Sequence, residues 1–151
     1  MTILAIDPGT VQSAWLEYDP DQKQVGRFRL ESNEDVLEVL RLLYPFQGTV
    51  VIEKMESYGL PVGQEVFETL RWAGRFEEAA SPTPVEYWPR RYVRKGLHLP
   101  HTAGDPGVRA ALIDRFGGSE ATGKGGPLYG IHADLWSALA IAVTYGDRET
   151  K

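Results

Sequence analysis

Two short apolar runs that each end in a carboxylate constrain this 151-residue chain most. Residues 3–6 are followed directly by Asp7, and residues 49–52 are followed directly by Glu53. Such runs predict buried β-strands, and buried strands rarely end in acids unless a cation compensates the charge. A third acid, Asp134, stands at the start of the last helix-like segment. The three acids together suggest a divalent-metal site and phosphoryl chemistry.

The composition fits one globular domain over residues 1–151. A chain of this length can bury a core without covalent cross-links, and the lack of cysteine excludes disulfides and thiolate metal sites. No apolar stretch approaches the roughly 20 residues that a membrane span needs, and the N-terminus lacks the pattern of a signal peptide. We therefore expect a cytoplasmic protein (in the host cytoplasm if viral) with no membrane partner.

The charge is distributed unevenly along the chain. The net charge is −5, yet residues 85–124 contain seven Lys or Arg against four acids. A run of four cations around an aromatic residue, residues 89–95, lies within this stretch. Such a patch can bind phosphates locally on an acidic molecule, although an ordinary solvated loop has the same appearance.

The order of the elements predicts a mixed α/β sheet. Periodicity predicts strands at residues 2–7, 12–18, 25–31, 49–53 and 84–88, and helices at residues 33–43, 64–79, 106–116 and 132–145. The first helix is capped by Ser32 or Asn33 and stopped by Pro45, and Asp105 with Pro106 begins the third. Residues 117–130 are glycine-rich and predict a mobile loop. We expect three antiparallel strands followed by two parallel ones, flanked by helices.

This topology would bring the acids together. Ligands of parallel α/β sheets collect outside the carboxyl ends of adjacent strands, so neighbouring first and fourth strands would project Asp7 and Glu53 to one point. Clustered carboxylates repel one another unless cations neutralise them, and oxygen ligands suit Mg²⁺ or Mn²⁺. Two such ions can clamp both oxygens of a phosphodiester displacement. Taken singly, Asp7 could merely cap a turn and Asp134 a helix.

Three motifs carry a resemblance to a known family. They are Ala-Ile-Asp-Pro-Gly-Thr at residues 5–10, Val-Ile-Glu at 51–53, and Asp-Leu-Trp-Ser-Ala-Leu-Ala-Ile-Ala at 134–142. Their order and context make the chain similar to RuvC-type Holliday junction resolvases of the ribonuclease H-like superfamily, and we expect a bacteriophage member. The resemblance implies a homodimeric endonuclease of DNA recombination and repair that cuts branched DNA with two Mg²⁺ or Mn²⁺ ions per site, held by Asp7, Glu53 and Asp134.

One position departs from the pattern of this family. Its last helix usually carries two ligands three residues apart, whereas here Asp134 is followed by Ser137 at the second position. Ser137 is a poor substitute for a carboxylate. His132 could be a fourth catalytic and metal-binding residue, and Glu56 could supply an outer ligand, so the identity of the fourth ligand stays open.

Cations and aromatic residues complete the expected interface. We expect the DNA backbone to be bound by Arg90, Arg91, Arg94, Lys95, Arg71, Arg75 and Lys124. The helix at residues 64–79 is the expected dimer interface, because Phe67, Leu70 and Phe76 together exceed what one core would bury. Tyr58, in a loop after Glu53, is a candidate for stacking on a base.

Other functions remain open on the sequence alone. One is a less selective nuclease of the same fold that acts on flaps or hybrids, and another is a module that binds branched DNA without cutting it, which Ser137 favours. Residues 118–124 spell most of a P-loop but lack the final Ser or Thr and follow a helix, so we expect no nucleotide cofactor. Residues 7–10 also resemble the first phosphate loop of actin-like ATPases. Those proteins contain two copies of the domain around a nucleotide cleft, whereas we expect a single domain here, so this alternative is disfavoured.

Overall fold

A mixed five-stranded sheet forms the centre of the protein. The computed structural model describes residues 1–43 and 46–149. The strands are β1 (Thr2–Asp7), β2 (Gln12–Asp19), β3 (Gln24–Ser32), β4 (Gly48–Lys54) and β5 (Val85–Pro89), in the spatial order β3-β2-β1-β4-β5. The pairs β1–β2 and β2–β3 are antiparallel, whereas β4 runs parallel to both β1 and β5. The fold class expected from the sequence is confirmed.

Within the described ranges, five helices flank the sheet. They are α1 (Asn33–Leu42), α2 (Gln64–Ala80), α3 (Arg90–Gly96), α4 (Asp105–Arg115) and α5 (Leu135–Glu149). Helix α1 is capped as expected, because the Ser32 hydroxyl accepts a hydrogen bond of 3.1 Å from the backbone N–H of Asp35. Pro45, expected to stop this helix, lies outside the described residues.

Two helices differ from the sequence-based expectation. The basic run after β5 is not a loop but forms α3, which is too short to show a helical period in the sequence. It packs closely on α5, since a Cβ added at Gly96 would lie 2.8 Å from Cγ2 of Thr144. Helix α4 is capped by the backbone of Gly104, so Asp105 is its first residue and not its cap.

Each face of the sheet has its own hydrophobic core. Helix α5 is almost wholly apolar between Leu135 and Gly146 and packs on one face against β1 and β2. Helices α1 and α2 cover the other face, where Phe76 is completely buried. The alternation along β2 serves both layers: Leu16 packs toward α5, and Trp15 toward α1.

The glycine-rich segment between α4 and α5 is anchored in the core. A short 3-10 turn spans Ser119–Thr122, and both Ala121 within it and Leu128 after it are buried. This segment is therefore packed against the core at two points, and the mobility expected from its composition stays a prediction. No helix in the described parts of the chain is both long enough and apolar enough to cross a membrane.

Candidate metal and nucleic-acid site

Asp7 and Glu53 lie side by side at the carboxyl ends of two parallel strands. In the β1–β4 ladder Ile6 is paired with Ile52, so the next residue of each strand is an acid. The two carboxyl groups are hydrogen-bonded to one another. Glu53 is only 8% exposed. The end-of-strand placement inferred from the sequence thus brings two acids from distant parts of the chain into contact.

A buried polar network holds the turn that follows Asp7. Pro8 favours an extended backbone at the preceding residue. The backbone N–H of Gly9 donates to the hydroxyl of Ser13 at 3.0 Å, and the side chain of Asn33 donates to the carbonyl of Gly9, also at 3.0 Å. Ser13 and Asn33 are buried and hydrogen-bonded to each other. A Cβ at Gly9 would lie 2.2 Å from the carbonyl oxygen of Gln12, so only glycine fits this turn.

Asp134 approaches the acid pair from the start of α5. It directly precedes the helix, and its carbonyl accepts a hydrogen bond of 3.2 Å from the N–H of Ala138. Ala133 just before it has a φ of +48°, which turns the chain into the helix. The side chain of Asp134 is exposed and lines the same cleft as Asp7 and Glu53.

The proximity of these acids appears in the pKa of Asp7. Burial is the largest cause that raises this pKa well above its ordinary value. The hydrogen bond to Glu53, the charge of Glu53 and the charge of Asp134 raise it further, and the charge of Arg90 opposes them. Asp7 therefore lies in a field that disfavours its ionised form unless a further cation is present.

Two arginines of the basic run pair with acids at the cleft. The Nε atom of Arg90 lies 3.3 Å from Oε1 of Glu53. Nη1 of Arg91 donates to both carboxylate oxygens of Glu56, at 2.5 and 2.7 Å, and this hydrogen bond lowers the pKa of Glu56. The hydroxyl of Tyr58 donates to the same carboxylate at 3.2 Å.

The acids and cations enclose a cleft of about 450 Å³. Its lining is formed by Asp7, Pro8, Glu53, Lys54, Met55, Glu56, Tyr58, Thr69, Arg90, Arg94 and Asp134. Arg94 is held in place by a hydrogen bond of 2.9 Å to the carbonyl of Ala103. The cleft therefore combines negative charge at its base with positive charge along one wall, which suits a phosphate bridged to the acids by cations.

The donor set of this cleft fits a divalent cation. Its ligand atoms are carboxylate oxygens, which Mg²⁺ and Mn²⁺ prefer, and the guanidinium of Arg90 supplies a positive charge beside Glu53. Within residues 1–43 and 46–149, however, no three acidic or histidine side chains stand close enough together to hold a metal ion. Asp7 and Glu53 are paired, whereas Asp134 is exposed and lines the same cleft.

The three candidates for a fourth ligand occupy different places. Ser137 is partly buried and lines a small cavity together with Glu53, Arg90 and Asp105. Glu56 lines the main cleft but is paired with an arginine. His132 is exposed, its Nδ1 lies 2.9 Å from the carbonyl of Gly130, and it is not among the cleft-lining residues in the described part of the chain.

The expected DNA-binding cations fall into two groups. Arg90, Arg91, Arg94 and Lys95 all lie on α3, with Arg90 and Arg94 in the wall of the cleft. The other group lies elsewhere on the surface. Arg71 is paired with Glu68 on α2, Arg75 stacks on the ring of Trp72, and Lys124 lines a separate groove below α4.

A second groove beside Asp134 was not foreseen from the sequence. It is lined by Asp134, Trp136 and Arg109 among other residues, and the guanidinium of Arg109 lies 5.0 Å from the centre of the Trp136 ring. Asp105 lines both this groove and the small cavity at Ser137. The positive balance of residues 85–124 already included Arg109, but only the fold shows that it lines the same groove as Asp134.

Comparison with solved structures identifies the fold. The chain is similar to Thermus thermophilus RuvC in complex with a Holliday junction substrate, at a TM-score of 0.74 and 18% identity, covering 99% of this chain and 96% of that one. A second structure of Thermus thermophilus RuvC gives a TM-score of 0.73 at 19% identity and the same coverage. At this level of identity the likeness establishes a RuvC-like, ribonuclease H-like fold. No protein-family model and no curated protein sequence matches the chain.

Proposed function

We propose that this protein is a Mg²⁺- or Mn²⁺-dependent endonuclease that cuts four-way or related branched DNA by phosphodiester hydrolysis. The observation that carries the proposal is the cleft in which Asp7, Glu53 and Asp134 face Arg90 and Arg94. The strand-end positions of Asp7 and Glu53 were expected from the two apolar runs that precede them. The likeness of the fold to Thermus thermophilus RuvC, solved in complex with a Holliday junction substrate, supports the choice of branched DNA.

In this proposal the acidic side chains of the cleft bind the metal ions and the basic side chains bind the phosphate backbone. Asp7, Glu53 and Asp134 would hold two divalent ions, and Ser137 lines a neighbouring cavity that Glu53 and Arg90 also line. Such ions, when bound, supply an activated water and stabilise the oxygen that departs. Arg90 and Arg94 would bind the phosphate backbone and so help to position the scissile bond over the acids.

Dimer formation through α2 belongs to the same proposal. Phe76 was expected at the dimer interface, but it is completely buried in the core of the monomer and so cannot contribute to that interface. Phe67 and Leu70 are 53% and 44% exposed on the same helix, and Leu60 in the preceding loop is 69% exposed. A two-fold dimer that covers these side chains would present two clefts to a two-fold symmetric junction.

A cleavage assay on defined DNA forms tests the proposed activity. Synthetic four-way junctions, flaps, RNA–DNA hybrids and linear duplexes are incubated with the protein in Mg²⁺ or in EDTA. We expect paired nicks in the junction that require Mg²⁺. Equal cutting of every form would indicate the less selective nuclease, and tight junction binding without any metal-dependent product would indicate the non-cleaving module.

Substitution of Asp7 tests whether the cleft is the site. Asp7→Asn should abolish cleavage but leave junction affinity unchanged or improved, because one charge that repels phosphate is removed. Asp35→Asn removes an exposed carboxylate in the first turn of α1 that does not line the cleft, and this variant should cleave like the wild type. Unchanged turnover in Asp7→Asn would exclude this carboxylate from the reaction.

A further inference from the structure

Arg90 supplies a positive charge to the two carboxyl groups that would ligate a metal ion. Its Nε atom is 3.3 Å from Oε1 of Glu53, and its charge also acts on Asp7. Arg90 lines the cleft and interacts with both carboxyl groups of the Asp7–Glu53 pair. A divalent cation ligated by Asp7 and Glu53 would be repelled by a guanidinium at this distance.

The backbone around Arg90 lets the side chain leave without moving the fold. Glu53 is paired with Trp88, and Lys54 with Pro89, in the β4–β5 ladder, so Arg90 is the first residue after the strand. Its side chain is 48% exposed, whereas that of Glu53 is 10% exposed. The acid is therefore held by the sheet, and the guanidinium can rotate toward solvent at the mouth of the cleft.

We propose that Arg90 is a positioning residue that exchanges partners: it neutralises Glu53 in the metal-free protein and turns to a DNA phosphate when a divalent cation takes its place. This inference rests on the proposed divalent-metal site. Arg94 is not equivalent, because its guanidinium is tied to the carbonyl of Ala103. Arg91 is not equivalent either, since it is paired with Glu56.

This exchange of partners by Arg90 makes cation binding and DNA binding favour one another. A bound cation releases Arg90 for phosphate, so it should strengthen DNA binding beyond simple charge neutralisation. By linkage, bound DNA should strengthen cation binding by the same factor. Removing the guanidinium should therefore tighten cation binding in the absence of DNA and weaken the coupling between cation and DNA.

Direct measurement of Mn²⁺ affinity without DNA tests the competition. We expect Arg90→Ala to bind Mn²⁺ about 3- to 10-fold more tightly than the wild type, by calorimetry or by the magnetic resonance signal of free Mn²⁺. Arg90→Lys keeps a competing charge and should stay close to the wild type. Arg41→Ala removes an arginine from an ion pair with Glu38 on α1 and should change nothing.

Junction binding with and without Ca²⁺ tests the second half of the exchange. We expect the gain in junction affinity on adding Ca²⁺ to be smaller in Arg90→Ala than in the wild type. Equal or weaker Mn²⁺ binding by Arg90→Ala, an undiminished Ca²⁺ gain, or no Mn²⁺ binding by any variant would each overturn the inference. Because no readout requires cleavage, an inactive but Mn²⁺-binding protein would refute the proposed function and leave the exchange standing.

Discussion

Replacing Asp7 by asparagine should stabilise the protein, even though it removes a residue of the proposed site. Within the described part of the chain, Asp7 and Glu53 share the guanidinium of Arg90, so ionising both carboxyl groups leaves negative charge that no second cation matches. Asparagine has the same shape, and its amide can donate to Glu53. Leaving a buried polar group poorly compensated costs about 1–3 kcal/mol, and we expect the free energy of unfolding to rise by that amount.

The stability gained by Asp7→Asn should decrease as the pH is lowered. The pKa of Asp7 is raised above 3.8 in the folded protein. The wild type therefore loses stability as the pH rises from about 3.8 through the folded pKa, and Asp7→Asn does not. The advantage of the variant should be complete above the folded pKa, shrink on acidification and vanish below about pH 3.8.

Chemical denaturation in EDTA at several pH values provides the measurement. A gain of 1 kcal/mol corresponds to a rise in Tm of about 2–4 °C for a chain of this size, so thermal melts give an independent check. Asp35→Asn is the matched control, and it should lose a few tenths of a kcal/mol because its carboxylate favours the N-terminus of α1. An Asp7→Asn variant that is less stable than wild type at about pH 8, or whose advantage grows on acidification, would refute the reasoning.

Three further outcomes follow from other parts of the structure. Arg90→Ala combined with Arg91→Ala should weaken junction binding and flatten its dependence on salt by about one to two units in a filter or anisotropy titration; an unchanged slope would move the DNA interface elsewhere. Phe67→Asp should convert the proposed dimer to a monomer in sedimentation, and a dimer that persists would exclude this face. Thr144→Val should lower the free energy of unfolding by about 1–3 kcal/mol, because the indole N–H of Trp88 loses its acceptor at 3.0 Å, whereas Thr144→Ser should cost less.

Local sequence was sufficient for the elements that carry the acids. An apolar run that ends in a carboxylate specifies a buried strand and puts the charge at its end, so the amino-acid sequence alone locates Asp7 and Glu53 at strand ends. The helical spacing around Leu135 likewise identified α5. The sequence did not predict helix α3, because its seven residues do not complete two helical turns and a basic run has the same pattern in a loop.

The contacts of the site required the tertiary structure. Nothing near Glu53 in the chain indicates that Arg90 pairs with it, and nothing near Asp134 indicates that Arg109 lines the same groove. Phe67 and Phe76 look alike in the periodicity of α2, yet only Phe76 enters the core. The type of each residue and the spacing of apolar residues are local patterns, so they indicate strands and helices but not which side chains come into contact. Which side chains meet is decided by the tertiary fold, which brings together residues 25 to 127 positions apart.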